Sequence, residues 1–176
     1  MWGIKMLKRI LKTLLCTILC MFMTGLTVFA HPIYPGAYPS VETESELLPK
    51  NVKVSKVHVT SVMRGVFFAA ADLAILNNDG KIGVSAKAYM KEPVDEVYMT
   101  IYVDQLDENE HWRQVAYYDF EFYAKDYPDG LLTPGKDFTI MDQPSNHYYR
   151  LRSQFIAILD GAMEGFGPVT GGVFIE

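Results

Sequence analysis

The chain has 176 residues, 21 % of them charged, and a formal net charge of −5. This length is enough for one ordinary domain, and the excess of acid argues against nucleic acid or anionic lipid as partners, since both need clustered lysine and arginine. Both cysteines, Cys16 and Cys20, lie in the first thirty residues. The rest of the chain therefore has no disulfide and no thiolate to hold a metal.

The first thirty residues have the layout of a secretory signal peptide. Four basic residues precede an apolar run at 14–29, and Val28 and Ala30 occupy the positions where a signal peptidase needs small side chains. We expect cleavage after Ala30, with an uncleaved membrane anchor as the alternative because the run is just long enough to make spanning possible. Each cysteine follows a leucine, which excludes lipoprotein processing. Cleavage leaves 12 basic against 21 acidic residues, a net charge of −9.

Residues 31–50 differ in composition from the sequence that follows them. They contain four prolines and three glutamates in twenty residues. Prolines at this density prevent a continuous helix or strand ladder. The sequence therefore predicts a mobile, proline-rich acidic spacer at 31–50, followed by a folded domain at 51–176.

The clearest alternation of side-chain character lies in residues 94–124. Two runs each place apolar side chains on one face: Val97, Met99, Ile101 and Val103 in the first run, and Trp112, Ala116, Tyr118, Phe120 and Phe122 in the second. A period of two residues indicates extended chain, because successive side chains of a strand point to opposite faces. The polar residues 107–111 between the runs predict a hairpin loop.

Further strand patterns lie on both sides of this hairpin. The turn residues 77–80 (Asn-Asn-Asp-Gly) predict a tight hairpin. The valines between 52 and 59 change phase once near Lys56, which predicts a bulge or two short strands. Alternating or apolar runs also cover 138–141, 148–159 and 169–175, with 160–168 as a glycine-containing loop. Seven or eight short strands with regular turn signals predict an all-β fold, an antiparallel β-sandwich.

The carboxyl-terminal residues 148–176 resemble the closing hairpin of an immunoglobulin-like or fibronectin type III-like sandwich. In such sandwiches a tyrosine near the start of the penultimate strand often bonds back to its loop, a role open to Tyr148 or Tyr149. The Asn-Asp-Gly hairpin, the hairpin with Trp112, the Tyr-Tyr-Arg strand and the glycine loop also resemble uncharacterised small secreted proteins of Gram-positive bacteria. This resemblance covers most of residues 60–176. It implies an immunoglobulin-like fold and secretion, and it implies no activity.

The sequence contains no catalytic motif: Gly-x-Ser-x-Gly and His-Glu-x-x-His are both missing. Aromatic residues are the strongest compositional feature, and Tyr98, Tyr102 and Tyr117 are candidate binding residues on central strands. They form either an exposed platform for a ligand or half-buried pairs that a second sheet covers. We expect a secreted, non-enzymatic binding module for a protein or carbohydrate at the cell surface, with no cofactor.

A metal site is the alternative. Cleavage after Ala30 makes His31 the N-terminus, and its amine and ring can chelate copper in a histidine brace, as in copper-dependent polysaccharide monooxygenases. The second ligand would be His58, His111 or His147. The prolines after His31 argue against the rigid support that a brace needs. Acidic residues at one hairpin tip offer the oxygen ligands that calcium prefers, although no calcium-loop motif is present: Asp104, Asp107, Glu108 and Glu110.

Overall fold

Two antiparallel β-sheets pack together in the computed structural model, which describes residues 31–32, 34–60 and 66–176. The predicted all-β sandwich is thereby confirmed. The predicted signal peptide at 1–30 lies outside the described residues, so its cleavage stays a prediction. Within the described ranges, no helix is both long and apolar enough to cross a membrane.

The described part of the chain contains nine strands, against the seven or eight expected. They are β1 (Val54–Thr60), β2 (Phe68–Asn78), β3 (Lys81–Met90), β4 (Glu96–Leu106), β5 (Trp112–Tyr123), β6 (Gly135–Ile140), β7 (His147–Leu159), β8 (Ala162–Phe166) and β9 (Val173–Ile175). Single turns of 3₁₀ helix occupy Pro35–Ala37 and Ala124–Asp126.

The first sheet has the strand order β1-β2-β3-β6, and the second has the order β5-β4-β7-β8, with β9 also paired to β7. In an immunoglobulin constant domain the second and third strands lie in different sheets. Here β2 and β3 form a hairpin within the first sheet. The immunoglobulin-like arrangement is therefore not confirmed.

The core lies between the inner faces of the two sheets. On β4 the four predicted residues Val97, Met99, Ile101 and Val103 are completely buried. Alternate residues of β7 are also buried there: Tyr149, Leu151, Phe155 and Ala157. Because the side-chain period of a strand is two, burial of the odd-numbered residues of β4 directs its even-numbered residues to the outer face of the second sheet.

Two-residue turns close two of the hairpins. Asp79 and Gly80 have φ angles of 52° and 80°, which suits the predicted turn between β2 and β3. A Cβ on Gly80 would lie 2.9 Å from the carbonyl oxygen of Glu176, so glycine is also required sterically. Asp160 and Gly161 form a second such turn (φ 50° and 77°), after which β8 pairs with β7. The predicted loop at 160–168 therefore contains a strand.

A bulge in β5 changes the face of one predicted residue. The register of β4 and β5 shifts between Val103, which pairs with Ala116, and Asp104, which pairs with Gln114. A bulge adds one residue to one strand and so reverses the facing of all residues beyond it. Trp112 consequently lies on the outer face of the second sheet, and its predicted place beside Ala116 on the inner face is wrong.

The bulge or strand break predicted near Lys56 does not occur, because β1 pairs with β2 in one unbroken register from Val54 to Thr60. Val57 and Val59 pack against the core, whereas Val54 is exposed. The edge position of β1 allows an apolar residue to face solvent at its start.

Tyr149, near the start of β7, makes the hydrogen bond back to its loop that the sequence predicts for Tyr148 or Tyr149. Its side chain is fully buried, and its hydroxyl donates a hydrogen bond of 2.7 Å to the carbonyl oxygen of Pro144 in the preceding loop. Tyr148 instead donates to the carbonyl oxygen of Leu48 at 3.1 Å.

Stability at alkaline pH is expected to depend on Tyr149. Burial raises the pKa of its phenol to about 12, whereas a tyrosine in an unfolded chain titrates near pH 10. The folded state therefore keeps the phenol proton to a higher pH than the unfolded state does. The contribution of Tyr149 to stability is full below about pH 10 and is lost as the pH rises towards 12. We expect Tyr149→Phe to make the fall in unfolding free energy above about pH 10 shallower.

Urea unfolding followed by circular dichroism at several pH values measures this fall. At neutral pH the loss of the hydrogen bond to Pro144 should cost about 1 kcal/mol. Tyr117→Phe, which changes a largely exposed phenol, is the control and should retain the wild-type slope. Equal alkaline slopes for Tyr149→Phe and the wild type would contradict the prediction.

Candidate functional site

Residues 34–48, here called the strap, lie on the outer face of the second sheet. Arg150 donates through Nη1 to the carbonyl oxygen of Thr43 and through Nη2 to that of Val41. Arg152 donates through Nη1 to the carbonyl oxygen of Pro39 at 2.6 Å. These bonds use the strap only as an acceptor, which a proline-rich segment can supply because proline lacks the N–H but keeps the carbonyl.

The far end of the strap joins the sheet near β9. Leu47 forms a parallel bridge with Gly172. The amide of Gly172 donates to the carbonyl of Glu46 at 2.7 Å, and the amide of Leu48 donates to the carbonyl of Gly172 at 3.0 Å. Residues 34–48 thus belong to the folded unit, which runs from Pro32 to Glu176, and are not the separate mobile spacer that the prolines predicted.

The two arginines that bind the strap belong to a buried ionic cluster with Asp104. The carboxylate of Asp104 accepts hydrogen bonds from Nε of Arg150 at 3.0 Å and from Nε and Nη2 of Arg152 at 2.7 and 3.0 Å. All three side chains are completely buried. Burial lowers the pKa of Arg150, yet both guanidinium groups stay charged because arginine does not deprotonate in proteins. The cluster therefore holds two positive charges and one negative charge.

The predicted acidic metal ligands have other structural roles. Asp104 is occupied by the two arginines, so its assignment as a ligand at the hairpin tip is wrong. Asp107 accepts from the amides of Asn109 and His111, both at 2.9 Å, and from Nε of Arg113 at 2.6 Å. The hydrogen bond from the His111 amide contributes most to lowering the pKa of Asp107. Asp107 therefore shapes the β4–β5 loop.

Glu110 lies in the same loop with a positive φ of 60°, and Glu108 is exposed beside it. Over the described ranges, no group of three or more His, Cys, Asp or Glu side chains is arranged to hold a metal ion.

The histidines considered for a copper brace lie on different elements. His58, on β1, places Nδ1 2.6 Å from a carboxylate oxygen of Asp72. His111 is in the β4–β5 loop, and His147 begins β7. His31 belongs to the N-terminal unit of the chain, and its brace with a second histidine stays a prediction.

Asp72 is the centre of a polar cluster on the outer face of the first sheet. Burial opposes ionisation, but hydrogen bonds from His58, Tyr89 and Lys56 lower the pKa of Asp72. The Tyr89 hydroxyl donates to its carboxylate at 2.9 Å. The carboxylate is thus already paired with Lys56 and in contact with His58 and Tyr89.

The three predicted binding tyrosines all lie on the outer face of the second sheet. Tyr102 on β4 pairs directly with Tyr117 on β5, and Tyr98 pairs with Glu121. Tyr117 is 61 % exposed, and Tyr98 and Tyr102 are half-buried. Tyr123 lies edge-on to Tyr98, with 6.3 Å between the ring centroids. We call these four residues the tyrosine face; the other sheet packs on the opposite side and does not cover them.

Carboxylates alternate with the rings of the tyrosine face. The hydroxyl of Tyr98 donates to Glu96, the hydroxyl of Tyr123 to Glu121, and Oγ1 of Thr100 to Asp119 at 2.7 Å. Burial, together with the bond to Glu96, raises the pKa of Tyr98. The face therefore offers neutral aromatic rings and negatively charged acceptors at physiological pH. Such groups suit stacking and hydrogen bonding to hydroxyl groups.

A further tyrosine, which the strand pattern did not indicate, borders this face. Tyr38 of the strap packs edge-on against Tyr102 with 5.7 Å between ring centroids, and it is 51 % exposed. The guanidinium carbon of Arg152 lies 4.8 Å from the centre of the Tyr102 ring. A proline-rich stretch has no side-chain period, so the sequence held no signal that would place Tyr38 beside a strand.

An acidic cleft of about 570 Å³ opens between the strap and the β4–β5 loop. Its floor includes Trp112, whose ring lies 4.4 Å from the guanidinium carbon of Arg150. The other lining residues are Val41, Glu42, Thr43, Glu44, Ser45, Glu46, Glu110 and His111. Four carboxylates at its rim favour cations over anions, and Glu42 interacts favourably with the charge of Arg150.

No protein-family model matches this chain, and a search of curated proteins also finds no match. The fold class is shown by the strands themselves. Function is therefore inferred from the geometry of the described residues, above all from the tyrosine face.

Proposed function

We propose that this chain is a secreted, non-enzymatic binding module that holds a neutral carbohydrate on the tyrosine face, at or near the cell surface. The observation that supports this most is the pairing of Tyr102 with the exposed Tyr117 across two adjacent strands. Directly opposed residues of an antiparallel pair place their Cβ atoms about 5 Å apart on the same face, so the two rings are neighbours there. An exposed aromatic patch is typical of an interaction site.

The polar groups of the face favour a carbohydrate over a protein. Glu96, Asp119 and Glu121 lie between the rings and can accept hydrogen bonds from sugar hydroxyls, while the rings contact the C–H faces of the sugar. The same carboxylates repel polyanions at short range. We therefore expect neutral polysaccharides to bind and acidic ones to bind weakly or not at all.

Affinity electrophoresis in gels that contain xyloglucan, glucomannan, glycogen or polygalacturonate tests this proposal. We expect retardation by at least one neutral polymer and none by polygalacturonate. Tyr117→Ala should weaken binding about ten- to hundredfold, since burial of one aromatic side chain contributes roughly 1.5–3 kcal/mol. Tyr89→Ala removes a tyrosine from the outer face of the other sheet and is the matched control.

Wild-type protein that no neutral polymer retards would overturn the proposal. So would Tyr117→Ala protein that binds as tightly as the wild type. If polysaccharides fail but a cell-surface protein binds in a Tyr117-dependent manner, the face is a protein-binding surface instead.

A further inference from the structure

We propose that Tyr38 of the strap is a ring of the carbohydrate-binding surface, and that Arg152 is the positioning residue that holds it there. This inference rests on the proposed function of the tyrosine face. It makes the binding surface composite, with one part from the sheet and one from a segment that precedes the first strand.

Tyr38 has the geometry of a surface ring. It contacts Tyr102 edge-on, with an interplanar angle of 84°, and half of its side chain remains accessible. Tyr102 in turn pairs with Tyr117, so the three rings follow one another across the strap, β4 and β5. A core tyrosine such as Tyr149 is completely buried, whereas Tyr38 and Tyr117 both remain more than half exposed.

The docking of the strap can be separated from the ring of Tyr38. Arg150 and Arg152 bind main-chain carbonyls of the strap at Thr43, Val41 and Pro39. A change of side chain at position 38 leaves these acceptors in place and removes only the interactions of the Tyr38 side chain with Arg152 and Tyr102. We therefore expect Tyr38 substitutions to alter ligand affinity much more than stability.

Arg152 contacts both Tyr38 and Tyr102 through its planar guanidinium group. Its guanidinium lies over the Tyr102 ring, donates to the carbonyl of Pro39, which follows Tyr38, and is fixed by Asp104. A planar fork with five donors can make all these contacts at once, which a lysine ammonium cannot. Buried ion pairs contribute little net stability compared with apolar residues of similar volume. Net stability therefore does not explain why these charges are buried. Positioning of the strap and of the Tyr102 ring does explain it.

Binding of Tyr38→Ala, Tyr38→Phe and Tyr117→Ala to the neutral polysaccharide that retards the wild type most is the decisive experiment. We expect Tyr38→Ala to weaken binding about three- to tenfold, with an unchanged melting temperature, and Tyr38→Phe to bind like the wild type because the ring is kept. Tyr89→Ala is again the control.

Arg152→Lys tests the positioning role, since it keeps the charge beside Asp104 but not the fork. We expect faster cleavage of residues 34–48 in limited proteolysis and an affinity similar to that of Tyr38→Ala. Adding Tyr38→Ala to Arg152→Lys should then weaken binding no further, because the ring is already displaced. A purely structural role of Arg152 would leave the two effects additive.

The outcomes separate this inference from the proposed function. If the wild type binds, Tyr117→Ala binds more weakly and Tyr38→Ala binds normally, the inference is overturned while the tyrosine face stands. Equal losses for Tyr38→Phe and Tyr38→Ala would also overturn it, because the ring would then not be the contact. If the wild type binds no neutral polysaccharide, the proposed function falls and the inference falls with it.

Discussion

Replacing Asp104 with alanine is expected to lower the free energy of unfolding by about 3–5 kcal/mol. Asp104 is the only carboxylate that bonds to the buried guanidinium groups of Arg150 and Arg152 in the described part of the chain. Its removal would leave two like charges together, away from water and without a hydrogen-bonded counter-charge. Uncompensated buried charge is among the largest single-residue penalties in proteins.

Urea denaturation with linear extrapolation measures this loss. Asp137→Ala, which removes an exposed carboxylate, is the matched control and should change stability by less than about 0.5 kcal/mol. A value for Asp104→Ala within the range of this control would show that the cluster does not carry the expected charge interaction.

A triple variant separates the stability of the cluster from its positioning role. Asp104→Leu combined with Arg150→Met and Arg152→Met replaces three buried charges by apolar side chains. It should recover most of the stability lost in Asp104→Ala, because such replacements are often neutral or stabilising. The strap would nevertheless lose the donors for Pro39, Val41 and Thr43, so we expect it to be cleaved rapidly in limited proteolysis.

Replacing Glu164 with alanine is expected to cost about 2–3 kcal/mol. The Glu164 carboxylate, on β8 of the second sheet, accepts from the amides of Val66, Phe67 and Phe68 at 2.6, 3.3 and 2.8 Å. These amides lead into β2 of the first sheet. One carboxylate therefore satisfies three successive backbone donors and ties the two sheets together at that end.

Hydrogen exchange at residues 66–68, measured beside urea unfolding, should show faster exchange in Glu164→Ala. Glu164→Gln keeps one carbonyl oxygen and should lose about half as much stability, since a neutral acceptor bonds more weakly than a charged one. Glu108→Ala, at an exposed glutamate in the β4–β5 loop, is the control. Unchanged exchange in Glu164→Ala would show that the carboxylate does not protect these amides, which would contradict the prediction.

The sequence determined those features that depend on neighbouring residues. Alternation in residues 97–103 identified the inner face of β4, and so the opposite face for Tyr98 and Tyr102. The residues 77–80 identified a turn, because Asp79 and Gly80 tolerate the positive φ angles that the turn requires. Each of these features depends on residues that are close together in the sequence, and each could be predicted from the sequence for that reason.

Only the tertiary structure decided the features that join distant parts of the chain. The bulge that moves Trp112 to the outer face depends on its pairing with β4. The strap depends on contacts such as that between Arg152 and Pro39, which are 113 residues apart. In the alternating run 148–159, Arg152 falls on the face opposite Tyr149 and Leu151, and an arginine on such a face is ordinarily solvated. Its burial depends on a covering segment, and the prolines of that segment removed every periodic signal that would have shown where it lies.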